Sequence, residues 1–337
     1  MSQLLIKPWL AACCCMVVFM IFWGGLTRLT DAGLSIVEWK PVSGIVPPLN
    51  NSEWQDEFSK YQQSVEYKQK NINMTLSEFK FIFWIEFIHR FAGRVVGLLY
   101  LIPLVYFLVT RQIASRSLPV YLGILLLFAV QGFMGWYMVK SGLILQPYVS
   151  HFRLAGHLII AIIIYNLLFY QLMNNSFDIL LNEQTISLNS AKLCCLVTIS
   201  IVYIQIFLGG LVAGLDAGQV YNSFPLMGNN FIPEELTFKL LTIDSLSDPV
   251  VIQFFHRMGA YIVCISAGFL VVSLIKTKHP KLNKAAYYIV GILLLQMLAG
   301  ITTILYSVPV LIALFHQICA IILLSCILWS YFLLKSA

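Results

Sequence analysis

Eight long apolar runs leave this chain few folds to choose from. They cover residues 9–27, 81–109, 118–139, 151–173, 193–214, 250–275, 284–305 and 308–334. A bilayer-spanning helix needs roughly 20 largely apolar residues, and each run comes close to that length or exceeds it. Spanning β-strands would instead appear as ~10-residue segments of alternating polarity. Only 11% of the residues are charged and 59% are hydrophobic, whereas a soluble domain carries about 25% charged residues. The expected fold class is an all-α integral membrane protein with eight transmembrane helices, spans 1 to 8.

The short connections orient it. Arg111 and Arg116 lie between spans 2 and 3. Lys276, Lys278, Lys281 and Lys284 lie between spans 6 and 7, Lys7 precedes span 1 and Lys335 follows span 8. With eight spans all of these fall on one side, which the positive-inside rule makes the cytoplasm. Both termini are then cytoplasmic, and the long loops 28–80 and 215–249 face outward. Loop 28–80 is of mixed charge. The net charge of +6 follows from this topology and implies no nucleic-acid partner. Lys7 precedes an apolar run with no small-residue cleavage site, so the first span reads as retained rather than as a cleaved signal. There is no Arg- and Ser-rich presequence, which points to a bacterial inner membrane. All eight cysteines lie in the spans, where they read as small apolar fillers. Without a CxxCH motif, any haem is held without thioether bonds.

The chain repeats itself. GGLTRLTDAG (24–33) leaves span 1 and GGLVAGLDAG (209–218) leaves span 5. IEFIHRFAG (85–93) in span 2 matches IQFFHRMGA (252–260) in span 6. QGFMG (131–135) in span 3 matches QMLAG (296–300) in span 7, and His157 in span 4 matches His316 in span 8. Each half holds four spans, an even number, so both enter the membrane in the same sense. Two four-helix bundles related by a pseudo-twofold axis along the membrane normal are expected, with halves 1–173 and 174–337.

His279 in the basic loop and His151 at the mouth of span 4 read as solvated or interfacial. The other four, His89, His157, His256 and His316, each fall within about the first nine residues of an even-numbered span, about 13 Å or less from its outer end. Each is followed at i+4, on the same helix face, by a small residue: Gly93, Ala161, Ala260 and Ala320. Two facing imidazoles per bundle, beside flattened helix surfaces, suit a porphyrin with bis-histidine ligation. Hydrogen bonding between helices and a transporter's proton relay are the other uses of such histidines. Zinc or copper would want Cys, Asp or Met close by. No span is broken by paired Gly/Pro at mid-depth, as a transporter's binding helices are. Arg90 and Arg257 directly follow a histidine in each half; they can hold haem propionates in bidentate geometry or snorkel to the interface. Arg94 and Arg153 are weaker candidates for the same role.

The halves differ three residues before the histidine, where the first has Glu86 and the second Gln253. At i and i+3, Glu86 is expected to share a pocket with His89; an ion pair with Arg90 at i+4 is the alternative use of its charge. Arg28 likewise faces Ala213, while Asp31 and Asp216 match. A haem acted upon in the first half and a resident haem in the second would account for the asymmetry.

Together, ExxHR (86–90), GGLTRLTDAGLSIVEWKPVSG (24–44), FRLAGH (152–157), FFHR (254–257) and FHQ (315–317) resemble the haem A synthase family over about residues 10–332. The resemblance implies an oxidoreductase that converts haem O to haem A. The C8 methyl of the porphyrin is oxidised through an alcohol to a formyl group, for use in terminal oxidases. It implies that His256 and His316 ligate a haem b cofactor, that His89 and His157 line the haem O site, and that Glu86 is the essential carboxylate, acting as acid, base or stabiliser of a developing cation. Some members carry a cysteine pair in the first outward loop. Residues 28–80 have none, as in the branch found in alphaproteobacteria and mitochondria. The implied partners are haem O synthase and a ferredoxin-type electron donor, since no flavin or Fe–S motif is present. The basic loop at 276–284 can dock an acidic donor or merely serve topology. Membrane lipid surrounds the spans, and a homo-oligomer is compatible with the sequence. A non-catalytic di-haem b cytochrome carrying electrons from quinol is the competing reading; it would have no use for Glu86. Loop 39–54, rich in Pro, Gly and Trp, is expected to cover the first-half pocket, and residues 53–80 to form interfacial helices.

Overall fold

The helices begin where the sequence supplies partners for their first backbone N–H groups. The computed structural model describes residues 5–40, 43–142, 148–176, 186–236 and 243–335. Among them run ten α-helices: α1 (Ile6–Leu29), α2 (Asn51–Gln62), α3 (Val65–Gln69), α4 (Leu76–Val109), α5 (Leu118–Gly142), α6 (His151–Ser176), α7 (Ile186–Gly214), α8 (Pro249–Lys276), α9 (Pro280–Leu305) and α10 (Val310–Lys335). Thr75 and Glu78 cap α4 reciprocally, each side chain accepting from the other's backbone N–H. α4 therefore starts at Leu76 rather than at 81. Asp248 accepts from the N–H groups of Val250 and Val251 while Pro249 takes the first helical position of α8. α7 begins at Ile186, earlier than the expected 193. Eight helices, α1 and α4 to α10, are long and apolar enough to cross a membrane. The protein is an all-α, multi-pass membrane protein with eight transmembrane helices.

The chain forms two compact units, Cys15–Ile164 and Met1–Cys14 with Tyr165–Ala337. In the second, α7 packs along α8, α8 against α9, α9 along α10, and α10 back against α7, which closes a four-helix ring. Ile252, Leu270, Leu274, Ile289, Leu324 and Ile327 are fully buried in this unit. In the first, α4 packs against α5 and α2. Trp23 Nε1 donates to the Ile85 carbonyl at 2.8 Å, joining α1 to α4.

α4 has 34 residues, about 51 Å at 1.5 Å per residue, against a hydrocarbon core of about 30 Å. Its N-terminal end is the part covered by α2 and α3. Tyr61 stacks on Phe79 at 5.2 Å, and Trp54 meets Phe83 edge-on at 5.0 Å. Aromatic pairs of this kind add about 0.5–1.5 kcal/mol each beyond area burial. After α1 and α7 the chain turns at Asp31 (φ 49°) and Asp216 (φ 51°), a left-handed conformation that Asp tolerates better than most residues. This accounts for the matched aspartates of the repeat.

Glu66 of α3 is 4% exposed and accepts from the Tyr61 hydroxyl at 3.1 Å. Burial, reinforced by the nearby charges of Glu86 and Asp31, pushes its carboxyl up to about 7 from 4.5. A carboxyl raised in the folded state favours folding below its unfolded pKa, and that contribution is lost as the pH climbs to about 7. Glu66→Gln, which keeps an acceptor for Tyr61, is expected to be more stable than wild type at pH 8 by on the order of 2 kcal/mol, and so to unfold at a higher temperature. At pH 4.5 the two should unfold together. Thermal unfolding in detergent at the two pH values checks this.

Candidate functional site

Each of the four histidines rests on a glycine of the preceding spanning helix. A Cβ built on Gly24 of α1 would lie 3.2 Å from His89 Cε1 of α4, and one on Gly135 of α5 would lie 3.4 Å from His157 Cε1 of α6. The distances are 3.2 Å from Gly209 of α7 to His256 of α8, and 2.8 Å from Gly300 of α9 to His316 of α10. The glycines of the repeated motifs are thus seats for imidazole rings. Four residues before each lies the side chain that shares its helix face. Gln131 Nε2 sits 3.2 Å from His157 Nε2, Gln296 Nε2 sits 3.3 Å from His316 Nε2, and Gln205 Nε2 sits 3.1 Å from His256 Nδ1. At the fourth position is Met20.

His256 and His316 have ring centroids 6.5 Å apart and planes inclined at 78°. A metal–imidazole bond is about 2 Å, so two rings facing one iron hold their centroids roughly 6 Å apart. The pair fits bis-histidine haem ligation. His316 Nδ1 lies 3.0 Å from the Gln296 carbonyl, which can only accept, so Nδ1 carries the proton. Nε2 keeps its lone pair, the form a metal takes. In the other unit Nδ1 of His89 and Nδ1 of His157 are each buried with no hydrogen-bond partner among the described residues.

His89 departs from the expected depth. It is the fourteenth residue of α4, whereas His157 and His316 are seventh in their helices and His256 is eighth. The cap at Thr75 lengthens α4 beyond the apolar run. Measured from the partner helix the levels agree: Gly24 lies five residues before the end of α1, as Gly209 does before the end of α7.

Next to each first histidine, a second pair of residues ties down a loop. Glu86 is 2% exposed. Its Oε1 accepts from Arg90 Nη2 at 2.6 Å, and its Oε2 accepts from Ser35 Oγ at 2.6 Å and from the Ile36 N–H at 2.8 Å. Arg90 also donates to the carbonyls of Ile36 (2.9 Å) and Glu38 (3.4 Å) and lies over the Trp39 ring. Gln253 donates to the Tyr221 carbonyl at 3.0 Å. Arg257 donates to the carbonyls of Tyr221 (2.8 Å), Ser223 (2.8 Å) and Leu226 (3.3 Å). Both oxygens of Glu86 are therefore engaged by the loop and by Arg90. Both arginines hold backbone carbonyls instead of snorkelling, and the Nε of each is buried without a hydrogen-bond partner among the described residues. Arg94 donates to the Lys40 carbonyl at 3.0 Å, and Arg153 lies over the Tyr137 ring.

Residues of 36–40 and 43–60 border a half-open pocket of about 620 Å³ against α4, lined by Glu38, Lys40, Glu57, Lys60, Arg90 and Arg94 among others. Residues 41 and 42 of the expected cover lie outside the described residues. Sequence reasoning placed the four histidines but not their seats. Gln131, Gln205 and Gln296 went unassigned as partners although they stand beside the repeated glycines.

Fold and site together define a polytopic helical membrane protein with two half-buried, glycine-seated histidines in each unit. The family described as cytochrome oxidase assembly protein (COX15-CtaA) matches residues 7–328. A protein named Heme A synthase from Rickettsia bellii (strain OSU 85-389) is 55% identical over 329 residues, 98% of each chain. The protein of that name from Rickettsia felis is 54% identical over 337 residues, the whole of both, and the one from Rickettsia akari is 54% identical over the same length. The chain belongs to the haem A synthase family and is a multi-pass membrane enzyme of haem A biosynthesis.

Proposed function

We propose that this enzyme oxidises the C8 methyl of haem O through the alcohol to the formyl group of haem A. The first half (1–173) holds the substrate between His89 and His157. The second half (174–337) holds haem b between His256 and His316. The observation that carries the reading is the His256/His316 pair, at the spacing of two axial ligands and with the proton of His316 held on Nδ1 by the Gln296 carbonyl. Bound there, haem b would supply one-electron transfer.

The residues of the first unit do the rest. Imidazoles seated on Gly24 and Gly135 fix the porphyrin by its iron, which restricts where the methyl can lie. The Nε groups of Arg90 and Arg257, buried and unpartnered, are available to a propionate. Glu86 brings a carboxylate one helical turn from His89. It can take up the proton released as oxygen is installed on the methyl carbon, or stabilise positive charge there. The second hydroxylation gives a gem-diol, which loses water to leave the formyl group.

Each hydroxylation then consumes one O2, two electrons and two protons, one oxygen atom entering the C–H bond and the other leaving as water. The electrons come from a ferredoxin-type donor, docked at Lys276, Lys278, Lys281 and Lys284, and haem O from a haem O synthase. The site is a bacterial inner membrane with both termini cytoplasmic.

The test is chromatography of the haems extracted from the protein purified after co-expression with a haem O synthase. Haem A or its alcohol precursor beside haem b is expected. Haem b alone would overturn the proposal in favour of an electron-transfer cytochrome.

A further inference from the structure

Among the positions at which the two units differ around their first histidine, two are coupled. MIFWGG (20–25) and QIFLGG (205–210) place Met20 where the other unit has Gln205. HRFAG (89–93) and HRMGA (256–260) place Ala92 where the other has Gly259. Gln205 Nε2 lies 3.1 Å from His256 Nδ1 and donates to the His256 carbonyl at 2.8 Å. A Cβ at position 259 would collide with Gln205 Oε1. The carboxamide therefore has a seat beside the imidazole because residue 259 is glycine.

The first unit lacks both parts. Met20 offers only a thioether, a weak acceptor and no donor, and the methyl of Ala92 stands where the seat would be. Met20 Cε reaches instead to within 3.6 Å of the position a Cβ on Gly93 would take. His89 Nδ1 is left buried with no hydrogen-bond partner among the described residues.

We propose that Gln205 and Gly259 are a positioning pair that locks His256 as a permanent haem ligand, and that Met20 and Ala92 leave His89 a ligand that can let go. The proposal rests on the haem sites of the function proposed above and explains how one fold keeps one porphyrin and releases another. A hydrogen bond to the ring nitrogen away from the metal fixes the imidazole's orientation and raises its basicity; losing such a partner typically costs 10–100-fold in metal affinity. With iron on Nε2, Nδ1 carries the proton and needs an acceptor. The Gln205 carboxamide supplies a strong one when its oxygen, rather than the nitrogen that lies 3.1 Å away, is turned to the ring, whereas a thioether is only a weak one.

The experiment follows protohaem leaving the full-length purified protein, loaded with protohaem, into an excess of a haem-scavenging apoprotein. The phase belonging to the second unit is identified as the one lost in His316→Ala. Wild type should release haem in a fast and a slow phase. Gln205→Met and Gly259→Ala should each speed the slow phase 10–100-fold and shift the low-spin ferric EPR signal of that site. Met20→Gln combined with Ala92→Gly should slow the fast phase by a similar factor, a gain of retention that misfolding cannot imitate. An unchanged slow phase in both Gln205→Met and Gly259→Ala, or an unslowed fast phase in the double variant, overturns the proposal. Because the probe is protohaem, these rates stand apart from the identity of the extracted haems, which alone tests the catalytic reading.

Discussion

Glu86→Gln is expected to lower formyl production at least ~100-fold, the lower range for a positioned acid or base, while haem O or its alcohol stays bound to the purified protein. The substitution is nearly isosteric, and its amide oxygen can still accept from Ser35 and Ile36, whose contacts of 2.6 and 2.8 Å hold the loop to α4. What it removes is the negative charge and the acceptor for Arg90, 2.6 Å away. A purely structural Glu86 makes a different prediction. Arg90→Ala severs the same ion pair and also frees the carbonyls of Ile36 and Glu38. If clamping were the whole role, Arg90→Ala would cost at least as much turnover as Glu86→Gln, with a parallel fall in melting temperature. The second unit clamps its loop with a neutral amide, Gln253 donating to Tyr221, so a clamp at this place does not require a charge. Chromatography of the bound haems, alongside thermal unfolding of both variants, decides the question. Equal losses of turnover that track the melting temperature would remove Glu86 from the chemistry.

How much of this was legible beforehand depended on whether the signal was local. The eight spans came from apolar runs, and the histidines from their recurrence in register with the motifs. The first is a pattern along one helix and the second a comparison between two, and neither needs the tertiary packing. The start of α4 was also local, since Thr75 and Glu78 form a capping box, but the apolar window opened only at 81 and the polar first turn was assigned to the interfacial helices expected over 53–80. The engagement of Glu86 was local only in part: its i+4 ion pair with Arg90 was legible and is present at 2.6 Å. Its i+3 relation to His89 suggested a shared pocket, yet its partners Ser35 and Ile36 lie about 50 residues earlier, on a loop whose path no periodicity encodes. The seats under the histidines fall between these cases. Gly24 and Gly209, like Gly135 and Gly300, stood out as repeated residues, but a repeat does not say what a glycine faces. Only the packing of α1 on α4 or α9 on α10 shows that the missing side chain makes room for a ring.

That packing ranks the four glycines. Gly300→Ala should be the most damaging, because the new methyl would sit 2.8 Å from His316 Cε1 and 3.3 Å from its Nδ1, inside contact distance on two ring atoms. The methyl is bonded directly to the α9 backbone and cannot rotate away. The ring must therefore move, and with it goes the bond from Nδ1 to the Gln296 carbonyl that keeps the proton off Nε2. Loss of an orienting partner of this kind costs 10–100-fold in metal affinity. Haem in the second unit should accordingly be lost on purification, and turnover with it. Gly135→Ala is the control. Its methyl would meet His157 Cε1 at 3.4 Å, ordinary van der Waals contact, and haem retention there should change little. Gly24→Ala and Gly209→Ala, at 3.2 Å each, should fall between. The measurement is haem-to-protein ratio by pyridine haemochrome across the four variants, with circular dichroism to confirm that the helices persist. Were Gly135→Ala to lose as much haem as Gly300→Ala, tolerance at these positions would be set by something other than the gap between backbone and ring.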